Sequence, residues 1–558
     1  MKPAQIPTWL FTRAILTLVV ALAGAQGSRA AELKLLGHYD LNVGFADGVG
    51  WQFNLFDFSD ESRIDPRLID VGVTDVGKLV VPSDAAFAPL GAPFGAAYWQ
   101  LPQPNTPGII FLGYRTEDVD PEPFLPFFGT PFMSLEMTAV RGSGVDRGGF
   151  FSMYQTDAFG TPTFQYTSSD GVGNNDIQSP IPLPAHAHYN WAFTKPGEYH
   201  VTFRSEATMT EPPNNGVVTN GLGTFTFFVP GTTNLNILDD GEVDLEFGFS
   251  GGMWHSPEVL NPAVGSAPVG NVVLHADSAS KTMLPADVQF NGLGAVGSDF
   301  WVLPQNDTPG LPAIGLDGDG VAMGQFQGDE FALELQAIDG PQDGHVIIFQ
   351  TDALGTHSVL ADSSNGIDPS QDRIPGSAGA HSHHSWGFSK AGVYTLTFAL
   401  SGVPAGGGDS VQGEPFSLQV GIQTFPGFRD DDGNGIDDHW EARHGFTDPA
   451  DPNGDPDMDS RTNLREYLHD TFHDSGDSDA TELRLVQASP GNVQLEFDTL
   501  EGRQYRVMFS DDLVTWLPAT PKILGGRAAC SIVDDGTGLT VTPPGTQRFY
   551  RLDISSPQ

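Results

Sequence analysis

The sequence predicts an all-β protein made of two tandem β-sandwich repeats, a short Asp-rich segment of loops and helices, and a small C-terminal β-sandwich. Three observations predict this architecture. The 558 residues include 67 Gly, 43 Pro and 38 Phe, a composition typical of short strands joined by turns. A long stretch of the chain occurs twice. After the second copy the composition changes abruptly and becomes rich in Asp.

The duplication is visible in four matched segments that keep the same order along the chain. Colinear similarity over this length indicates a duplicated domain, with the first copy at residues 32–230 and the second at residues 231–424. The matched segments are "GHYDLNVGF" at Gly37 with "GEVDLEFGF" at Gly241, "YWQLPQPNTPG" at Tyr98 with "FWVLPQNDTPG" at Phe300, "FSMYQTDAFG" at Phe151 with "VIIFQTDALG" at Val346, and "HAHYNWAFTKPGEYHVTF" at His186 with "HSHHSWGFSKAGVYTLTF" at His381.

The last of these segments predicts the strand pattern of each copy. Polar and apolar residues alternate, so that His186, His188 and Asn190 fall on one face of a strand and apolar residues on the other. Residues 195–198 fit a type II turn, after which residues 199–203 are predicted to return as the partner strand of a β-hairpin. The aromatic residues predicted for the two cores are Trp191, Phe193, Tyr199, Phe203, Trp386, Phe388, Tyr394 and Phe398.

These motifs in combination resemble a known bacterial family. His-x-His ahead of WxFxxxGxYxxTF, the QTDxxG strand, the Trp-x-Leu-Pro segment and the opening GHxDL are similar to the choice-of-anchor M domain, also called the surface-anchored protein repeat, over about residues 33–421. The resemblance implies an exported surface protein, often encoded beside ABC transporters of the metal-uptake type. It therefore implies capture of a metal ion or small metal-bound ligand, with surface transporter components or matrix as further partners. The second copy departs from the pattern, with Glu242 where the first has His38.

The histidine pairs are the strongest candidates for chemistry. Residues i and i+2 of a strand project from one face about 6–7 Å apart, so both imidazoles can reach one ion. Further ligands are expected from the opening segment of each copy, and Asp157 and Asp352 of the QTDxxG strands are additional candidates. Zinc or manganese fits such a donor set, the carboxylates favouring the harder ion. The predicted transition-metal ligands are His38, Asp40, His186, His188, Glu242, Asp244, His381 and His383.

Other functions compete with metal capture. A structural or adhesive surface protein whose histidines only pack is the main alternative, because a duplicated domain repeats its packing motifs as readily as its sites. A metal-dependent hydrolase would need an open metal position beside a general base, and no known signature marks one. Gly248–Gly252 matches GxSxG, but without the flanking strand and helix of a nucleophile elbow, so a catalytic Ser250 is not predicted. We therefore predict a non-enzymatic binding protein.

The Asp-rich segment at residues 428–479 predicts two calcium loops. "DDDGNGIDDHWE" from Asp430 fits the EF-hand spacing at every defined position, and "DPDMDSRTNLRE" from Asp455 repeats it with Ser460 in place of the glycine, a change expected to weaken the second loop. Helices are predicted at about residues 438–444 and 462–470. The predicted calcium ligands are Asp430, Asp432, Asn434, Ile436, Asp438, Glu441, Asp455, Asp457, Asp459, Arg461, Asn463 and Glu466, with Ile436 and Arg461 contributing their carbonyls.

The paired loops resemble the thrombospondin type 3 and dockerin kinds of calcium-binding repeat. That resemblance implies a calcium-stiffened spacer, with binding of a cohesin partner as the less favoured role. A solvated acidic linker is the alternative, but it gives no reason for the same spacing to occur twice. Residues 480–558 show alternating strands again, and "YRVMFSDDLVTW" with "FYRL" look like the small β-sandwich that ends many exported bacterial proteins.

The N-terminus indicates where the protein is located, and the overall charge argues against one class of partner. Lys2 and Arg13 precede an apolar run too short to span a bilayer comfortably, and Ser28-Arg29-Ala30 has small residues at a cleavage site, so residues 1–31 are predicted to be a signal peptide of a secreted or cell-surface protein with no transmembrane segment in the mature chain. With 70 acidic against 26 basic residues, the net charge of −44 argues against nucleic acid as a partner. Cys530 is the only cysteine, which excludes an intrachain disulfide.

Overall fold

The computed structural model describes residues 31–46, 48–173, 175–210, 216–446, 449–471, 474, 482–489, 491–545 and 547–557. The predicted signal peptide lies outside these ranges, apart from Ala31. In the described residues, no helix combines the length and the apolar character needed to cross a membrane. Strands predominate throughout, and the predicted all-β sandwich fold is confirmed.

Three sheets build the first repeat. In spatial order, the largest contains Glu32–Lys34, Ile69–Gly72, Val218–Val229, Gly197–Thr208, Thr130–Arg141 and Ile177–Pro182, with Pro126–Phe127 paired to Thr130–Arg141. The second contains Pro162–Thr167, Phe151–Thr156, Asn190–Phe193, Ala97–Leu101 and Lys78–Val80. The third contains His186–His188, Phe111–Val119, His38–Ala46, Gly50–Asp57 and Ser62–Ile64. Among the described residues of this repeat one short α-helix, Ser143–Asp146, follows the Thr130–Arg141 strand, and three 3-10 helices lie at Pro66–Leu68, Asp75–Gly77 and Ala85–Leu90.

The second repeat has the same three-sheet plan, but its largest sheet runs on into the C-terminal module. That sheet contains Arg373–Ser377, Glu330–Asp339, Gly392–Gly402, Phe416–Ile422, Val272–Ala276, Leu235–Leu238, Ile523–Leu524, Gln504–Ser510 and Leu517–Pro518, with Val411–Gln412 and Phe549–Ser555 paired at its side. The second contains Lys281–Met283, Asp299–Leu303, Ser385–Phe388, Val346–Thr351 and His357–Asp362. The third contains Gly265–Pro268, Glu258–Asn261, Gly241–Ser250, Pro312–Val321 and His381–His383, with Met253–Trp254 paired to Gly241–Ser250.

In each third sheet, two strands carry the predicted metal ligands and a third strand lies between them. In the first repeat the opening strand is His38–Ala46, the middle strand is Phe111–Val119 and the His strand is His186–His188. Their counterparts in the second repeat are Gly241–Ser250, Pro312–Val321 and His381–His383. The middle strand lies between the other two in both repeats.

The predicted β-hairpin after each histidine pair is wrong, although its strands and its buried aromatic residues are confirmed. Asn190–Phe193 and Gly197–Thr208 belong to different sheets and do not pair with each other. They face each other across the core instead, where the rings of Phe193 and Tyr199 lie 5.0 Å apart. The Tyr199 hydroxyl donates to the Lys195 carbonyl at 2.9 Å, which closes the connection. The second repeat has the same crossing between sheets.

The eight aromatic residues predicted for the cores are all buried. The chain also changes sheet at Tyr189, since the His strand ends at residue 188 and the next strand begins at Asn190 in another sheet. This separates Asn190 from the histidines. Its amide oxygen accepts hydrogen bonds from the Gln100 side chain at 2.9 Å and the Gln103 N–H at 2.8 Å, so Asn190 ties loops to the sheet.

The Asp-rich segment contains two short helices, Asp438–Arg443 and Asn463–His469, close to the predicted bounds. A separate sheet of Arg484–Ser489, Asn492–Asp498 and Ala529–Asp534 completes the C-terminal module. Because Ile523–Leu524 pairs with Leu235–Leu238, this module extends a sheet of the second repeat.

Candidate metal centres

The register of the first repeat brings the predicted ligands to one face of its third sheet. The opening strand runs parallel to the middle strand, and the His strand is antiparallel to it on the other side. Asp40 and His188 both pair with Gly113. No side chain therefore stands between them, and the carboxylate and the imidazole can meet across the middle strand.

The four ligands of this first cluster converge on one point. One ligand atom from each of His38, Asp40, His186 and His188 lies within 4.8 Å of the others. The Nε2 atom of His186 is 2.8 Å from Asp40 Oδ2, and that of His38 is 3.8 Å from Asp40 Oδ1. Since zinc binds nitrogen and oxygen ligands at about 2.0–2.2 Å, small side-chain movements suffice to place all four around a single ion.

Buried polar atoms in the first cluster have no hydrogen-bond partner among the described residues. They are His38 Nε2, His188 Nδ1 and both carboxylate oxygens of Asp40. The backbone of Gly113 lies near Asp40 and that of Leu112 near His188, but neither forms a hydrogen bond of normal geometry with these atoms. The Asp40 side chain is fully buried, and its close approach to His186 lacks the angles of a hydrogen bond. Burying a carboxylate without donors is costly, and a bound cation would supply the missing partner.

Aromatic rings form the walls of the first cluster. His38 stacks on Phe58 and His188 on Phe111, each pair with ring centroids 3.8 Å apart and planes at 4°. Such stacking fixes the orientation of these two imidazole rings. On the far side of His186, its Nδ1 atom is 4.0 Å from a carboxylate oxygen of Glu117, the type of outer partner that orients a metal-binding imidazole.

Burial shifts the titration of the first cluster. It raises the pKa of Asp40 to about 6 and lowers the pKa of His188 to about 4. The pKa of His38 is also lowered, mainly by burial and secondarily by the neighbouring His186. In each case a low-dielectric environment disfavours the charged form, so the two imidazoles are held neutral, which is the form that binds metal.

A glycine lies at the centre of each cluster, Gly113 in the first and Gly315 in the second, and neither was predicted to belong to a site. A Cβ at Gly113 would lie 2.4 Å from Asp40 Oδ1 and 2.9 Å from His188 Cε1. At Gly315, which pairs with Asp244 and His383 in the second repeat, a Cβ would lie 2.2 Å from Asp244 Oδ1. The signal was present in the alignment of "FLGYR" with "AIGLD", but its meaning depends on the register.

The second cluster repeats the geometry with a different donor set. Glu242, Asp244, His381 and His383 also place one ligand atom each within 4.8 Å of one another. His381 Nε2 hydrogen-bonds Asp244 Oδ1 at 2.6 Å, and His383 Nε2 is 3.3 Å from Glu242 Oε1. The Glu242 side chain is 56% exposed, and burial raises the pKa of Asp244.

Asp157 and Asp352 do not join the clusters. Each accepts two backbone N–H bonds within its own turn: those of Phe159 and Thr161 in the first repeat, and those of Leu354 and Thr356 in the second. Ser250 lies on an exposed hairpin with its hydroxyl 2.8 Å from His255 Nε2. No carboxylate contacts His255 in the part of the chain that the structure describes, so no triad is formed there.

The first predicted calcium loop, residues 430–441, adopts the expected turn. The Asp430 carboxylate accepts N–H bonds from Gly433, Asn434 and Gly435 at 2.8–3.1 Å. Gly435 has φ of +86°, which favours glycine at this position. Glu441 Oε1 is satisfied by the Ala450 N–H at 2.7 Å and the Asn434 amide at 2.9 Å.

Asp438, also predicted as a ligand of the first loop, turns toward its neighbours instead. Its Oδ1 accepts the Asp431 N–H at 3.2 Å and its Oδ2 lies 3.5 Å from Arg429 Nε.

Among the described residues, the second predicted calcium loop, residues 455–466, has more buried carboxylate and amide oxygens without hydrogen-bond donors than the first. Asp455, Asp457 and Asp459 lie within 4.8 Å of one another. Buried oxygens of Asp457, Asn463 and Glu466 have no hydrogen-bond donor among the described residues. Burial and the three nearby aspartates raise the pKa of Glu466 to about 8.

The backbone of this loop also takes the turn that glycine would favour. Ser460 stands at the glycine position with φ of +77°. The Arg461 guanidinium meanwhile pairs with Asp459 at 2.7 Å.

Comparison with known proteins identifies no family for the chain. No family model and no curated protein matches the chain. Among solved structures, the FN1–FN3 domains of chicken CNTN1 are 10% identical over 76% of this chain and 91% of that chain, with a TM-score of 0.12. CfaE, the adhesive subunit of the CFA/I fimbria of enterotoxigenic Escherichia coli, is 8% identical over 70% and 99%, with a TM-score of 0.10. TM-scores this low carry no argument about fold or function.

Proposed function

We propose that the protein is an exported, non-enzymatic binding protein that captures a transition-metal ion, or a small ligand carrying one, at the first cluster. One observation carries the proposal: the Asp40 carboxylate is fully buried, has no hydrogen bond of normal geometry on either oxygen among the described residues, and faces three imidazoles. A structural role accounts for this arrangement less well, because packed carboxylates normally have well-formed hydrogen bonds. A cation satisfies it directly.

The donor set favours zinc at the first cluster. Three imidazole nitrogens and one carboxylate oxygen match the tetrahedral preference of this ion. Four protein ligands leave no open position for a metal-bound water, which a hydrolytic zinc site requires. The first cluster is therefore suited to holding an ion rather than to catalysis.

The second cluster is proposed as a weaker site for a harder ion. Two of its four ligands are carboxylates, and Glu242 is largely exposed to water. Carboxylate-rich, hydrated sites suit manganese better than zinc. The chain would then hold two ions of different character in homologous positions.

We also propose that the loops at residues 430–441 and 455–466 bind calcium. The three buried oxygens without donors in the second loop belong to Asp457, Asn463 and Glu466, which are positions 3, 9 and 12 of the motif. Extracellular calcium is abundant enough for loops of modest affinity. The resemblance of the repeats to the choice-of-anchor M domain and the predicted signal peptide support a place at or outside the cell surface.

The test is calorimetric titration of the calcium-saturated chain with zinc. We expect His186→Ala combined with His188→Ala to remove the tighter equivalent of zinc, while the exposed control His255→Ala keeps it. Unchanged stoichiometry in the double variant would rule out metal capture by the first cluster. If the histidines only pack, the double variant instead loses thermal stability to the same extent with and without a zinc chelator.

A further inference from the structure

The Asp-rich segment contacts both repeats and the C-terminal module. On one side its Ile436, Trp440 and Tyr467 side chains are buried in an apolar cluster that includes Val273 of the second repeat and Leu524 of the C-terminal module. This packing resembles a domain core. It fixes the segment to the second half of the molecule.

The other side of the segment holds the first repeat by ionic contacts. His439 Nε2 lies 2.7 Å from Asp146 of the first repeat. Arg443 pairs with the fully buried Asp70 at 3.0 Å and donates to the Arg67 carbonyl at 3.0 Å. Both His439 and Arg443 are themselves buried, so these contacts are shielded from water.

The C-terminal module adds a second set of ionic contacts to the same face of the first repeat. Arg527 contacts both Asp70 and Glu198. Glu501 accepts a hydrogen bond from Ser143 at 2.7 Å and pairs with Arg147. The chain has only 26 basic residues against 70 acidic ones. Two of the arginines, Arg443 and Arg527, are buried against Asp70 at this one junction.

The connection between the repeats is held by the same module. Thr232 donates to the Gly526 carbonyl at 2.9 Å, and Asn234 accepts from the Gly526 N–H at 2.9 Å and from Thr499 at 2.7 Å. Residues 230–234 separate the last strand of the first repeat from the first strand of the second. Release of these contacts would leave only a short link between the two repeats.

The first calcium loop is directly continuous with these contacts. The six-residue helix Asp438–Arg443 includes Glu441, the last ligand position of the loop, between His439 and Arg443.

The second loop is coupled in the same way. Glu466 is followed by Tyr467, whose hydroxyl donates to the Gly502 carbonyl at 2.5 Å and whose carbonyl accepts from Arg503 at 2.7 Å. Asp470 ends that helix, 3.8 Å from Arg443 and 3.7 Å from Arg503.

We propose that calcium loading of the two loops docks the first repeat against the rest of the chain, and that calcium removal releases it. The inference rests on the calcium part of the proposed function. Without the cation, the carboxylates of each loop repel one another at short range, and the two helices lose the geometry that aims His439 and Arg443 at the first repeat. Because the interface is ionic and the repeat has its own apolar core, the repeat can leave without unfolding.

Small-angle scattering of the chain in millimolar calcium and after chelation with EGTA tests the docking. A compact chain of this length has a radius of gyration of about 24 Å, and release of one repeat raises it. We expect that rise on chelation. We also expect Glu466→Gln to bind less calcium and to expand at a calcium concentration that keeps the wild type compact.

Two interface variants separate docking from calcium binding. Arg527→Met should expand the chain even in calcium while the calcium stoichiometry stays unchanged, and Asp146→Asn, a milder change, should raise the calcium concentration needed for compaction. The control Arg551→Met alters an exposed pair with Asp553 at 2.9 Å and should stay compact. Calcium binding without any change in radius of gyration overturns the docking proposal alone. Absence of calcium binding by the wild type overturns both the docking and the calcium part of the proposed function.

Discussion

The first repeat buries the carboxylate of its cluster and stacks two of the imidazoles on aromatic rings, whereas the second repeat has a partly exposed aspartate and a largely exposed glutamate in the equivalent cluster. His38 pairs with Phe111 across the strands in the first repeat, and Glu242 pairs with Ala313 in the second. The ring that His188 stacks on is therefore missing from its counterpart. Asp40 is fully buried, while the side chain of Asp244 is 17% exposed and already accepts a hydrogen bond from His381.

The two clusters share their backbone frame and differ in the side chains around it. Asp, Gly and His occupy one row across three strands in both repeats, as Asp40–Gly113–His188 and Asp244–Gly315–His383. The surrounding side chains decide burial and donor type. The two repeats therefore share one strand frame that carries two donor sets, three imidazoles with a buried carboxylate in the first and two imidazoles with two carboxylates in the second.

The largest difference between the repeats is expected for the two aspartates. Asp40→Asn should lower zinc affinity by more than about 100-fold, since loss of outer partners alone costs 10–100-fold. The same change should stabilise the metal-free protein by about 1–3 kcal/mol, because it removes a buried carboxylate without donors. Asp244→Asn should have small effects on both. Titration with zinc and thermal unfolding in chelator measure them, and a destabilised metal-free Asp40→Asn protein would contradict the account.

The central glycines should be the next most sensitive positions. Gly113→Ala places a Cβ against Asp40 and should lower zinc affinity by about 10–100-fold, as disturbed ligand orientation does. Gly315→Ala should disturb only the second, weaker equivalent. Gly173→Ala and Gly270→Ala are matched controls, since an added Cβ meets nothing within 4 Å at either position. Equal zinc binding by Gly113→Ala and its control would mean that the row across the strands does not form the site.

Exchanging one ligand residue should make the metal preference of the second cluster resemble that of the first. Glu242→His recreates three imidazoles and one carboxylate in the second cluster and should raise its zinc affinity about tenfold relative to manganese. The reverse change, His38→Glu, should lower zinc selectivity in the first cluster. Competition between the two metals, followed by titration, measures the ratio. No change in either ratio would show that donor type does not set the preference.

The smallest effect is expected from the aromatic wall. Phe111→Ala removes the ring stacked on His188 and should weaken zinc binding about fivefold, corresponding to about 1 kcal/mol for such a contact. Ala313→Phe in the second repeat is the reciprocal change. Zinc titration of both variants checks whether the wall pre-orients the ligand or merely covers it.

Much of this architecture was predictable from the chain. The repeat, the aromatic cores and the two calcium-loop turns follow from colinear motifs and fixed spacings. The histidine pairs and their partners on the opening strands were predictable as candidates, because i and i+2 share a face of a strand.

Two features required the structure. The sheet change at Tyr189 overturns the predicted hairpin, since local alternation cannot tell a hairpin from a crossing between two sheets. The role of Gly113 depends on register with two distant strands.

The ionic junction was equally hidden. Asp70, Arg443 and Arg527 lie far apart in sequence and have no motif, so only the packing of three regions reveals their pairing. The Asp-rich segment was expected to be a spacer. Nothing in its Asp spacing indicates that His439 and Arg443, on its first helix, contact the first repeat.

Elemental analysis of natively purified protein, without added metal or chelator, is the decisive test for a transition metal in the first repeat. After exhaustive dialysis against calcium buffer, one zinc or comparable transition-metal ion should remain per chain in the wild type and in His381→Ala/His383→Ala, and none in His186→Ala/His188→Ala. Wild-type protein that retains calcium alone, and takes up no zinc when it is offered, would contradict a metal site in the first repeat.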